Sequence, residues 1–273
     1  MDELLAPLLR HLDQRAPGDV IGSYLYGSAT TTGLRPDSDI DLLILTRRSL
    51  TDSERAALVS LLLDVSGWKG HASRFPEAAA RQPLEVTSLV LGDLQPLTGS
   101  PRCDFQYGEW LREDFLHGVL PTPVQDPDVV ALLASAHASH EVLRGSALDD
   151  LLDPIPPELL RQAVLALVPG VIQDVIGDER NSLLTLARIV VTLETGQVVS
   201  KDAAAQAVAP RLTGNDRVLL EHARAGYLGH VSDDWSGQSS RAKTLARTLA
   251  ELAKQAAPGL NSQSQDTTWN PAI

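Results

Sequence analysis

Tyr24-Leu25-Tyr26-Gly27-Ser28 and Ser38-Asp39-Ile40-Asp41-Leu42-Leu43-Ile44-Leu45 decide the reading of this chain. The first segment reads as a strand ending in a glycine turn, the second as the next strand. Strand side chains alternate between faces, so Asp39 and Asp41 point the same way. Two neighbouring carboxylates on one face repel unless cations lie between them. That arrangement suits Mg²⁺, which takes oxygen ligands and commonly shares its shell with substrate phosphates. Gly27 lets the backbone turn tightly and approach a ligand closely. A short helix is expected at 28–33, where the Ser28 hydroxyl and free amides would hold phosphate oxygens.

A third acid follows in Leu84-Glu85-Val86-Thr87-Ser88-Leu89-Val90-Leu91, a further strand candidate. Leu84 and Val86 take the opposite face, which leaves Glu85 as a general base for a substrate hydroxyl or a further metal ligand. A half-buried ion-pair acid is the plain alternative. Gly-Ser turns are common, and Asp-x-Asp can line an exposed face. The conjunction carries the reading: glycine-serine after one strand, an acid pair on the next, an acid on a third. It points to an enzyme that handles a nucleoside triphosphate, with two Mg²⁺ ions about 3.5–4 Å apart.

Outward from this stretch, leucines at 4, 5, 8, 9 and 12 form one stripe of a helix over 2–14. Strands are expected at 19–26 and 39–46. Thr51-Asp52-Ser53-Glu54 matches a capping box that opens a helix to about residue 65. Residues 66–82 read as loop, 84–91 as strand and 92–104 as irregular. Asp126-Pro127-Asp128 supplies an N-cap, an N1 proline and an early acid for a helix to about 143, stopped by Gly145. Strand signals cease there. Asp153-Pro154-Ile155-Pro156-Pro157 marks a domain boundary, and helices are expected at 157–167, 178–195, 201–209, 215–225 and 238–256. The polar residues 258–273 read as a flexible tail.

The 273 residues, 43% of them hydrophobic, suffice for two modest domains with packed cores. No apolar run approaches the roughly 20 residues of a membrane span, and residues 1–20 lack the pattern of a secretory signal. Cys103 is the only cysteine, so no internal disulfide forms, which fits a reducing cytoplasm. With 35 acidic against 23 basic residues, the formal charge is −12. That balance argues against nucleic acid as a partner and favours steering of cationic ligands, although solubility accounts for it equally well.

The spacing Gly27-Ser28-x10-Asp39-x-Asp41 resembles the nucleotidyltransferase superfamily. Further segments extend the likeness: Leu84-Glu85-Val86-Thr87, Gly108-Glu109-Trp110-Leu111-Arg112-Glu113-Asp114, Gly177-Asp178-Glu179-Arg180-Asn181, Thr195-Gly196 with Lys201-Asp202, and Ala225-Gly226-Tyr227-Leu228-Gly229. Over about residues 20–256 the series is similar to the aminoglycoside (3″)(9) adenylyltransferases, the streptomycin and spectinomycin resistance enzymes. The resemblance implies an α+β fold: a nucleotidyltransferase domain with a mixed sheet flanked by helices over 1–153, then an all-α helical bundle over 154–257. It implies Mg-dependent transfer of AMP from ATP to a drug hydroxyl. Gly27, Ser28, Ser38, Lys201 and Tyr227 would hold ATP, with Asp39, Asp41 and Glu85 as metal ligands and Glu85 as base. Trp110 and Asp178 match a pair that engages streptomycin in dual-specificity members, and Asn181 stands where some members have histidine. Glu85, Asp178 and Glu179 would meet the cationic drug.

The chain departs from relatives in lacking their Trp-Arg-Tyr-Pro stretch, with Leu94 to Arg102 in its place, and in carrying Val190 and Val191 where aromatic residues are usual. The expectation is a monomeric cytoplasmic enzyme. Two other readings stay open: an adenylyltransferase of a lincosamide or a protein hydroxyl, and an inactive interaction protein that kept the fold.

Overall fold

The computed structural model describes residues 2–31, 33, 38–97 and 100–257. The tail expected at 258–273 lies outside them, as do Thr98 and Gly99 of the departing Leu94–Arg102 stretch. The chain divides into two units between Ile155 and Pro156. Prolines 154, 156 and 157 lack the amide that would carry a regular element across this point.

The first unit runs α1 Asp2–Arg15, β1 Val20–Tyr26, β2 Ile40–Thr46, α2 Asp52–Val65, β3 Leu84–Val90, β4 Arg102–Cys103, β5 Phe105–Tyr107, α3 Arg112–Leu116, β6 Val124–Gln125, α4 Asp128–Ala138 and β7 His140–Gly145. Its sheet has the order β5-β3-β2-β1-β7, and β4 pairs separately with β6. Strands β2 and β3 are parallel; β1 is antiparallel to both β2 and β7, so the sheet is mixed.

Period-two alternation sends each strand's side chains to two cores. Ile40, Leu42, Ile44, Leu84 and Val86 pack with Leu5, Leu8 and Leu12 of α1 and Leu58, Val59 and Leu62 of α2. Tyr24, Tyr26, Leu43, Leu45 and Leu89 pack with Val129, Leu133 and Ala136 of α4. Asp41 and Glu85 belong to the second face by register. The capping box at Thr51 is present: the Thr51 hydroxyl accepts from the Glu54 amide and Glu54 accepts from the Thr51 amide. Glu54 also takes Arg48, whose hydrogen bond holds its carboxyl down at about 2 despite partial burial.

Residues 140–145 are strand, not the end of the 128–143 helix. The helix stops at Ala138, and β7 pairs with β1 through Tyr24↔Val142 and Tyr26↔His140. His-Glu-Val-Leu-Arg-Gly is mostly exposed on this edge strand, so no apolar alternation marks it. Pairing with β1, a tertiary contact, decides its conformation.

A buried ion pair fastens the junction between β4 and β5 to α2. Arg55 and Asp104 lie 3.0 Å apart with side chains 3% and 0% exposed, and Ser49 and the Leu50 amide also donate to Asp104. Removing one partner strands a charge in the interior. Arg55→Met is therefore expected to destabilise the first unit by about 3–5 kcal/mol, read from its urea midpoint.

The second unit consists of α5 Pro157–Gln173, α6 Glu179–Thr195, α7 Lys201–Val208, α8 Gly214–Tyr227 and α9 Ser239–Ala256. Helix α6 is buried at Leu183, Leu184, Leu186, Ala187, Ile189, Val190 and Leu193, and at Ser182 and Thr192 as well, on most of its sides. Such a helix must be enclosed, and α5, α7, α8 and α9 pack on it. Val190 and Val191 are both buried, so the departure from aromatic residues there is a matter of core packing. Helix α5 continues past the expected end at 167, through Pro169 to Gln173, because Leu160, Ala163, Val164 and Val168 bury its face. No helix among the described residues is long and apolar enough to cross a membrane.

Candidate active site

The glycine-serine turn and the strand acids meet at one end of the sheet's inner strands β1, β2 and β3. Strand β1 ends at Tyr26, the register partner of Asp41, and Asp41 is in turn the register partner of Glu85. Paired residues on adjacent strands share a face about 4.8 Å apart, so these carboxylates are neighbours. Asp39 lies two residues before Asp41, just ahead of β2. Further along the same face Leu43 and Leu45 are buried beneath α4, whereas Asp39, Asp41 and Glu85 are half-buried.

Gly27 is essential to this convergence. Its φ is +73°, and a Cβ placed on it would lie 2.1 Å from Asp41 Oδ2. The missing side chain is thus the space that the Asp41 carboxylate occupies. The residues after it form a short 3-10 helix, Gly27–Thr30, shorter than the helix expected over 28–33; Thr32 lies outside the described residues. Thr30 donates to the carbonyls of Gly27 and Ser139, and Ser139 donates back to the Thr30 carbonyl. Ser28 is half-buried in this anchored turn. Ser38 is buried, and its carbonyl accepts from Gln82 at 2.7 Å.

In the second unit the start of α6 gathers the other candidates. Asp178 sits at the N-cap of α6 yet makes no side-chain cap bond. Burial raises its carboxyl pKa, opposed by a hydrogen bond with Asn181 and the charge of Lys201. Lys201 opens α7 and donates to Asn181 Oδ1 at 3.1 Å. Asp178, Asn181 and Lys201 therefore form one polar cluster. Tyr227 ends α8, half-buried; the Cβ position of its neighbour Gly226 lies 3.7 Å from Arg180 Cδ, which brings this end of α8 to the first turn of α6. Glu179 is different from expectation. It is buried and accepts from Ser239 at 2.6 Å and the Gly177 amide at 3.2 Å, so its carboxylate is taken up in tying α6 to α9.

Trp110 lies in a 3-10 turn, Glu109–Leu111, and is 58% exposed. Beside it stands a residue to which the sequence reading gave no role. Glu109, 6% exposed, accepts from Ser66 at 2.6 Å, Tyr107 at 3.0 Å and Arg112 at 2.8 Å, and pairs with His71 at 3.1 Å. Burial alone would raise its carboxyl, but the bonds from Arg112 and Ser66 hold it below the usual range. The available signal was an acid and an arginine three residues apart amid aromatic residues.

Residues 150–252 match the family described as "Aminoglycoside adenylyltransferase, C-terminal domain", and residues 11–72 match "Polymerase beta, Nucleotidyltransferase". A spectinomycin 9-adenylyltransferase of Campylobacter jejuni is 41% identical over 87% of this chain and 90% of its own length. An aminoglycoside (3″)(9) adenylyltransferase of Escherichia coli is 34% identical over 85% and 86%. Among solved structures, spectinomycin adenyltransferase AAD(9) of Enterococcus faecalis, determined with ATP and spectinomycin, superposes with a TM-score of 0.84 at 28% identity, over 92% of this chain and 98% of that one.

Proposed function

The chain belongs to the spectinomycin and aminoglycoside (3″)(9) adenylyltransferase family, and from that premise we propose that it transfers AMP from ATP to a hydroxyl of spectinomycin, streptomycin or both. The observation that carries the proposal is the register pairing of Asp41 with Glu85 beside a glycine whose absent side chain makes room for the Asp41 carboxylate.

The residues fit a hard divalent cation. Their donors are carboxylate oxygens at one end of neighbouring strands, and the Gly27 gap keeps Asp41 Oδ2 close to the phosphate-binding turn. Among the described residues no three acids, histidines or cysteines form a preassembled ion cage. Mg²⁺ needs only one or two carboxylates, with water and substrate phosphates completing its shell. Asp39, Asp41 and Glu85 would hold it. When bound, Mg²⁺ neutralises charge on the triphosphate and its leaving group.

The protein's own groups do the remainder. Gly27, Ser28 and Ser38 hold phosphate oxygens, and Lys201 and Tyr227 supply a cation and a phenol for the triphosphate. Glu85 accepts the proton of the drug hydroxyl. The hydroxyl oxygen then bonds to the α-phosphorus of ATP as the bond to the pyrophosphate oxygen breaks. Asp178 and Asn181 receive the cationic drug, and the exposed Trp110 indole offers it a π face. AMP adds charge and bulk to the drug, which is the basis of resistance.

Purified protein, ATP and Mg²⁺ should release pyrophosphate only when spectinomycin or streptomycin is added. Release with a lincosamide alone would replace the acceptor assignment, and no release with any acceptor would leave a binding protein. Trp110→Ala is expected to lower kcat/KM for streptomycin by about 10–30-fold, the loss of a desolvated cation–π contact, and to change that for spectinomycin by no more than about threefold. Equal losses for both drugs would remove the streptomycin role of Trp110.

A further inference from the structure

Glu109 lies at the centre of a buried network that reaches two parts of the first unit. Through Ser66 it reaches the base strand. The Ser66 hydroxyl donates to Glu109 Oε1 at 2.6 Å and accepts from the Leu84 amide at 3.0 Å. Leu84 is the first residue of β3 and directly precedes Glu85. The other direction leads to Trp110. Glu109 opens the 3-10 turn that carries the indole, and His71 Nε2 lies 3.2 Å from the Glu109 carbonyl and 3.1 Å from its carboxylate. The indole folds back over Gly108, where a Cβ would lie 2.2 Å from the ring.

Arg112 completes the arrangement. It binds Glu109 and also donates to the carbonyls of Leu63 and Ser66 at the end of α2. The α2 terminus, the start of β3 and the 109–111 turn are thus held by one carboxylate. A buried charge with several donors is costly to disturb, and its geometry is correspondingly fixed.

We propose that Glu109 is a positioning residue that sets the Glu85 strand and the Trp110 indole in one fixed relation through Ser66–Leu84 on one side and the 109–111 turn on the other. The catalytic half of this inference rests on the adenylyl-transfer reading above; the positional half does not. A carboxylate that merely stabilised the fold would contribute to stability without ordering these two sites.

Two variants separate the arms. Ser66→Ala cuts the link to Leu84 and leaves Arg112, Tyr107 and His71 on Glu109. It should speed amide deuterium exchange at Leu84–Glu85 about tenfold, lower kcat about tenfold and leave drug KM within about twofold. Glu109→Gln removes the charge from both arms. It should give the same faster exchange, raise streptomycin KM about tenfold, alter acrylamide quenching of Trp110 measured against a Trp110→Phe background, and keep Mg-ATP affinity within a few-fold. Exchange and quenching are read without ligand, so they decide the positional inference even if no drug is adenylylated. Unchanged exchange at Leu84–Glu85 and unchanged Trp110 quenching in folded Glu109→Gln protein would overturn it. So would Ser66→Ala protein whose exchange matches the wild type. If Glu109→Gln fails to fold, the Ser66→Ala exchange result decides alone.

Discussion

Glu85→Gln is expected to lower turnover by about 10²–10⁴-fold, the usual worth of a positioned general base, while Mg-ATP affinity measured by titration calorimetry stays within a few-fold. Glutamine keeps the length and one acceptor oxygen of glutamate but cannot take a proton at working pH. The strand should not move, because Leu84 and Val86 on the opposite face are buried with α1 and α2. Asp41, its register partner, remains to bind the nucleotide. Wild-type turnover in the variant would end the base assignment. A parallel collapse of Mg-ATP affinity would recast Glu85 as chiefly a metal ligand, the other role its position allows.

The convergence of the glycine turn with Asp41 and Glu85 could be read from the sequence because its pieces are locally coded. A glycine turn, a period-two acid pair and an acid flanked by apolar strand residues each leave a short-range pattern, and the helices of the second unit announce themselves through leucine and alanine spacing. Capping was legible for the same reason: Thr51 and Glu54 are three residues apart. Features decided by distant partners were not. Strand β7 has no apolar alternation and exists because β1 offers it an edge. Glu179 reads as an acid that meets a cationic drug, yet a serine sixty positions away at the head of α9 donates to it. The Glu109 network draws on Ser66, His71, Tyr107 and Arg112, and only the packed sheet brings those positions together. The polar cluster of Asp178, Asn181 and Lys201 lies between these extremes. The resemblance picked out all three residues, but spacing alone gave no reason for a lysine at the start of α7 to meet the start of α6.

Gly27→Ala should prove as damaging as removing a catalytic acid, although it deletes no functional group. A Cβ at this position meets Asp41 Oδ2 at 2.1 Å, well inside contact distance, with the Asp41 Cγ at 3.0 Å behind it. The backbone also sits at φ +73°, a left-handed conformation that costs an L-residue about 1–2 kcal/mol. Relief must come from rotation of the Asp41 carboxylate or displacement of the turn, and either would break the alignment of phosphate, cation and base that the proposed reaction requires. Misplacement by about 1 Å can cost on the order of 10²-fold in rate, so kcat/KM should fall at least that far and Mg-ATP affinity should fall with it. The cause can be isolated by a double-mutant cycle. If Gly27→Ala acts by expelling Asp41, then Asp41→Asn in the alanine background should cost far less than in the wild type, because the carboxylate has already lost its place. Additive losses would mean that the two residues act independently and that the turn, not the gap, is what the glycine provides.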